Sequence, residues 1–345
     1  MRRFRALGFA LLMAGGAVST GGPAVASPGT VEPAKTPGTD PVKPPMRELP
    51  TPYTIGYSGG ARPPPTDRTP DFAYGAYQRG QYVTAFREAT KRIEADRKDA
   101  AAMTLLGELY NQGLGIKPDP VKAADWYRLA AAQGEPGAMS SLGLMSLDGR
   151  GVPKDPKAGR RWLEQAAEHG SPTAAYNFAL LLLGSGTEAD LARAATMFRK
   201  AADGEIGPAQ HDLGVLYLQG RGVPQDATKA AELFRRAADN GDLAGEVEFA
   251  ILLFNGKGLP KDEGRAARYF LHAAARGNAI AQNRVARLYA TGRGVPKNPV
   301  EAAAWNLTAA GQGLSDAWLD QALAGLTADE RTRAERLAGD RSEAR

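Results

Sequence analysis

Three histidines, no cysteine and a scatter of carboxylates make up most of the reactive inventory of this 345-residue chain. Metal-assisted, nucleophilic or acid–base chemistry needs such groups to converge, as His and Cys at ligand spacing, a nucleophile beside a base, or two carboxylates across a substrate. His169, His211 and His272 instead stand singly, each with no second ligand nearby. Packing or surface solvation accounts for each of them. The lack of cysteine excludes disulfides, thiol nucleophiles and a lipid-modified cysteine. No Ser-x-x-Lys nucleophile motif is present. The recurring Gly-x-Gly follows helical segments and lacks the Lys-Ser/Thr of a phosphate cradle. The expectation is a protein with no catalytic residues, no cofactor and no metal.

The carboxylates do follow a pattern, but it is the pattern of helix caps. With Gly107 as an origin, small residues recur at Gly143, Ala179, Gly214, Ala250 and Ala286, at spacings of 36, 36, 35, 36 and 36. An Ala or Gly lies five residues before each origin and an apolar residue just before it, so these positions share one helix face. In five of the six units this first helix runs into a Gly-x-Gly turn, as at Gly149 and Gly151 or Gly256 and Gly258. Glycine there adopts the positive φ that stops a helix. Val-Pro or a variant comes next, and then Asp119, Asp155, Asp190, Asp226, Asp262 or Asn298, each read as the cap of the second helix. Second helices repeat small pairs around a bulky pair, as in Ala123-Ala124, Trp126-Tyr127 and Ala130-Ala131. The third unit, Gly184-Ser185-Gly186-Thr187, lacks the Val-Pro and reads as one residue short in its first helix.

Around this array the chain divides as follows. Arg2, Arg3 and Arg5, an apolar run from Ala6 to Val18 and Ala24-Val25-Ala26 read as a signal peptide over residues 1–26, cut after Ala26. The apolar run falls short of the roughly 20 residues of a membrane span. Export to the periplasm or medium is expected, with no stable membrane insertion once the signal is removed; retention as an uncleaved anchor is the alternative. Residues 27–70 hold 12 of the 24 prolines and read as a disordered linker, either a tether or an unconstrained leader. Residues 71–101 read as a looser helical pair capping the array, 102–314 as the six repeats, and 315–345 as closing helices and tail. The net charge of +5 falls to +2 once the three leader arginines are removed. That balance gives no basic face for nucleic acid.

Taken together, Ala-x-x-x-Leu-Gly-x-x-Tyr, Gly-x-Gly-Val-Pro-x-Asp and Ala-Ala-x-Trp-Tyr-x-x-Ala-Ala resemble the Sel-1-like repeat family, relatives of tetratricopeptide repeats. The resemblance covers about Ala102 to Gly313. It implies an all-α fold, a right-handed α/α superhelical solenoid of antiparallel helix pairs, and a scaffold or regulator that binds a protein or peptide. It further implies that first helices line the concave side. The residues one and four after each origin then form an apolar strip of Leu144, Leu147, Leu180, Leu183, Val215, Leu218, Ile251 and Phe254, with Ser140, Tyr176 and His211 beside it as polar contacts. Glu108 with Asn111 and Arg287 with Ala290 flank it. Residues two after the origin are apolar too, and a helix apolar all round with tight curvature makes the strip buried core, the reading favoured over an open groove. A hydrolase acting on cell-wall or β-lactam substrates, and a structural spacer in an envelope assembly, are the alternatives.

Overall fold

The structure, a computed structural model, describes residues 71–343, and the expected signal peptide and proline-rich linker lie outside the described residues. Helices α1 (Phe72–Gln78) and α2 (Tyr82–Ala95) precede six pairs. These are α3 (Ala100–Gln112) with α4 (Pro120–Ala132), α5 (Pro136–Asp148) with α6 (Pro156–Glu168), and α7 (Pro172–Ser185) with α8 (Glu188–Asp203). Then come α9 (Gly207–Gln219) with α10 (Ala227–Asp239), α11 (Leu243–Asn255) with α12 (Glu263–Ala275), and α13 (Ala279–Thr291) with α14 (Pro299–Ala310). Short α15 (Ala317–Ala322) and α16 (Ala328–Glu343) close the array, and no strand occurs among the described residues. From α1 to α14 each helix packs on the next in chain order, which is the stacking of a helical solenoid, and α16 packs back on α14.

The repeat explains itself at the origin. The second bulky residue of the second helix, Tyr127, Leu163, Phe198, Phe234 or Phe270, is buried in units one to five, and in units one, two and four it lies against the glycine of its own first helix. A Cβ on Gly107 would meet the Tyr127 ring at 2.6 Å, and one on Gly214 would meet Phe234 at 2.7 Å. The glycines at the origin are therefore seats for a ring or a Leu side chain, and the spacing recurs where a unit buries that pair. Asp119, Asp155, Asp226, Asp262 and Asn298 cap their helices through the backbone N–H groups of the first turn. Each such cap contributes about 1 kcal/mol.

The two glycines of each turn have different duties. Gly149, at φ 75°, ends α5 in the left-handed region. Gly151 lies on the first turn of the preceding second helix, where a Cβ would come within 2.1 Å of the Pro120 carbonyl oxygen. Gly115, Gly222, Gly258 and Gly294 sit in the same way on α2, α8, α10 and α12.

Unit three departs from the sequence reading in two respects. Its first helix is not shortened: α7 has 14 residues against 13 in α5. The deletion falls in the connection, where only Gly186 and Thr187 separate α7 from a 16-residue α8. With no proline to break it, the second helix extends backward until Thr187, not Asp190, provides the cap, its Oγ1 accepting the Asp190 N–H at 3.2 Å. The Asp190 carboxylate instead accepts the Ser185 hydroxyl at 2.5 Å and pairs with Arg160 at 3.2 Å. The glycine seat over α6 is missing as a result. In its place two ion pairs, Arg160 to Asp190 and Arg193 to Glu164, join α6 to α8.

The C-terminal end differs as well. The closing segment holds the six residues of α15 and then the longer α16, which runs to Glu343. Thr327 and Glu330 exchange the two bonds of a capping box. Arg341 holds the extension in place by reaching Glu301 at 2.6 Å and lying 3.9 Å from the Trp305 ring centroid.

Candidate functional site

Within the six pairs, successive first helices approach one another at α3–α5, α5–α7 and α9–α11, and successive second helices do so less; beyond them α14 and α16 pack together. The first helices therefore follow the shorter, inner arc. Leu144, Leu147, Leu180, Leu183, Val215, Leu218, Ile251 and Phe254 lie along it, and all eight are half-buried. The residues two after the origin behave differently: Leu109, Met145, Leu216, Leu252 and Leu288 are core, and Leu181 is half-buried. The strip is thus a partly exposed apolar floor packed on that core.

The three polar residues expected beside the strip are placed unequally. Ser140 is 1% exposed, and its hydroxyl has no hydrogen-bond partner among the described residues. Tyr176 is buried at 9% exposure; its hydroxyl donates to Asp212 at 3.3 Å and its ring packs 5.8 Å from Phe198. His211 is half-buried, with its ring 5.6 Å from Phe234 and Nδ1 2.9 Å from Asp212 Oδ1. Burial works against its imidazolium, but Asp212, with Asp242 and Glu248 beyond it, outweighs that and holds its pKa above the ordinary value. The other histidines lie elsewhere, His169 at the end of α6 and His272 beside Glu246 at 2.7 Å. No cluster of three potential metal ligands occurs among the described residues.

Each end of the strip is polar. In unit one, Glu108 accepts the Tyr127 hydroxyl at 2.7 Å and the Gln112 amide, and burial raises its pKa. In unit six, Arg287 grips Asp316 through two bonds of 2.6 and 2.8 Å. Burial would raise the Asp316 pKa, yet the bonds from Arg287, Asn283 and the Leu319 N–H lower it to about 2.

Between α11 and α13 the floor deepens into a cavity of about 230 Å³ lined by Ile251, Phe254, Leu288, Arg284, Arg293 and Trp318, among others. Ile251 and Phe254 belong to the strip read from the sequence. Arg284, Arg293 and Trp318 do not: they come from three separate elements, and only the irregular α15 brings Trp318 across. The one sequence signal was a large apolar residue, Trp318, in the polar closing segment.

An all-helical solenoid of stacked helix pairs is a repeat protein in class. The family comparison agrees: the Sel1 repeat model matches residues 100–135, 136–171, 172–205, 207–242, 246–278 and 279–314. The chain belongs to the Sel1 repeat family, whose members are in general scaffolds for protein–protein interaction. Among solved structures it is similar to a Sel1 repeat protein from Oxalobacter formigenes, with 28% identity and a TM-score of 0.60 over 70% of this chain and 98% of that one. It is also similar to c5321, a protective antigen of uropathogenic Escherichia coli strains with an SLR fold, with 27% identity and a TM-score of 0.50 over 79% of this chain and 67% of that one. A search of curated proteins found no match.

Proposed function

We propose that the protein is exported and holds a protein or peptide of the cell envelope on its concave face, without chemistry of its own. The observation that carries this reading is the run of half-buried apolar residues on four consecutive first helices, from Leu144 to Phe254. A floor of this kind leaves apolar area in water that a partner would cover, at about 25 cal/mol for each Å² removed. Export rests on the basic, apolar and small-residue order of residues 1–26. The protective-antigen description of c5321, a neighbour of the same fold, supports it. No helix among the described residues is long and apolar enough to cross a membrane.

The test is to place a charge on the floor. Leu180→Asp and Ile251→Asp, made separately in the full chain, should keep the helical circular-dichroism spectrum and lose at least about tenfold of the affinity for a protein captured from the envelope fraction. Undiminished capture by both variants would remove the concave face from the reading. Collapse of the helical signal would show the strip to be core.

A further inference from the structure

The cavity at the end of the strip carries more than the strip itself does. Its floor is Ile251, Phe254, Phe270 and Leu288, and Trp318 stands at its side, 44% exposed. Three arginines rim it, Arg284, Arg287 and Arg293, and no acidic residue lines it. Two of these cations are already engaged. Arg287 holds Asp316 and lies 5.0 Å from the Trp318 ring centroid; Arg293 holds Glu263 at 2.6 Å and lies 4.2 Å from that of Phe254. Arg284 is exposed and has no ion pair among the described residues. One turn before it on the same helix, Ile280 is also exposed.

Size and charge together select the occupant. About 230 Å³ is below the roughly 300–1,000 Å³ of sites that enclose a whole small molecule, and suits one large side chain. A cation entering there would face the uncompensated charge of Arg284, whereas an anion would find it unclaimed. We infer that the cavity anchors an acidic protein segment: one large aromatic or branched aliphatic side chain fills it against Phe254 and Trp318, and a neighbouring Asp or Glu pairs with Arg284. The inference rests on the concave face being the docking surface, and it names the chemistry of what docks.

Three fluorescein-labelled heptapeptides test it on the full chain: Gly-Glu-Glu-Phe-Glu-Glu-Gly, the same peptide with Lys for Glu, and the same with Ala for Phe. The Glu–Phe peptide should bind by fluorescence anisotropy. In an ¹⁵N spectrum it should move the indole signal of Trp318 and leave those of Trp126, Trp162 and Trp305 in place. The Lys and Ala peptides should each bind at least about tenfold more weakly, and Arg284→Glu should reverse the preference between Glu and Lys. Failure of the Glu–Phe peptide to bind, equal binding of the Glu and Lys peptides, or an unmoved Trp318 signal overturns the assignment. Envelope capture separates this failure from that of the wider reading. Capture lost in Leu180→Asp but kept in Arg284→Glu overturns the cavity and keeps the strip, whereas capture kept in both overturns the two together.

Discussion

The two ends of the inner face put opposite charges at the same place in the repeat, and the surroundings treat them oppositely. One residue after the origin stands Glu108 in unit one and Arg287 in unit six, with Leu144, Leu180, Val215 and Ile251 between them. Glu108 has a hydroxyl and an amide for partners, too little to offset burial, so its charge is disfavoured. Arg287 meets a carboxylate that is 8% exposed, and that carboxylate also caps α15 and accepts from Asn283 at 2.8 Å. The repeat dictates where the side chain sits. What the next unit offers decides whether a charge is comfortable there.

Breaking the well-served end should cost most. Asp316→Ala strands the Arg287 guanidinium and uncaps α15, and should lower stability by about 2–4 kcal/mol in chemical denaturation at pH 7. Because the folded-state pKa of Asp316 is depressed to about 2, its contribution is present above the ordinary carboxylate range and fades as pH falls through about 2. The wild-type advantage over Asp316→Ala should shrink accordingly in acid. An advantage that stays constant down to that pH would contradict the assignment.

The poorly served end should respond in the other direction and less strongly. Glu108 has a raised folded-state pKa, so its favourable contribution is present at low pH and is lost as pH rises through that value. Ionisation is therefore a burden, and Glu108→Gln, which can still accept the Tyr127 hydroxyl, should raise stability at pH 7 by less than about 1 kcal/mol. Thermal melts of the two forms should converge as pH falls below about 4.3. The smallest effect belongs to the middle of the face, where charge depends on a titrating pair. An NMR titration should place His211 above 6.5, and Asp212→Asn should bring it down. The stabilisation this pair gives is complete below about 6.5 and is lost as pH rises through the elevated value.

What the sequence disclosed was whatever recurs. The ring seats at Gly107 and Gly214, the left-handed cap at Gly149 and the caps from Asp119 to Asn298 repeat because each unit solves one packing problem identically. Asp190 misled for the same reason: spacing placed it among the caps, but with the proline gone the helix began earlier and Thr187 took over. Apolar character alone could not separate Leu180 from Leu182 or Ile251 from Leu252, since exposure depends on how tightly neighbouring first helices close over each side chain. The cavity was hidden further still. Phe254, Arg284 and Trp318 come together only through the stacking of α11, α13 and α15.

The two-residue connection of unit three has a mechanical consequence. Elsewhere one unit rests on the last through a glycine pressed onto backbone, a contact indifferent to dissolved salt. At the junction of α6 and α8 that contact gives way to two partly exposed charge pairs, and such pairs weaken as ionic strength rises and the screening length contracts from about 10 Å at 0.1 M to about 3 Å at 1 M. The stack therefore carries a joint that rests on charge pairs with no glycine seat beside them, and its stiffness depends on the ions around it.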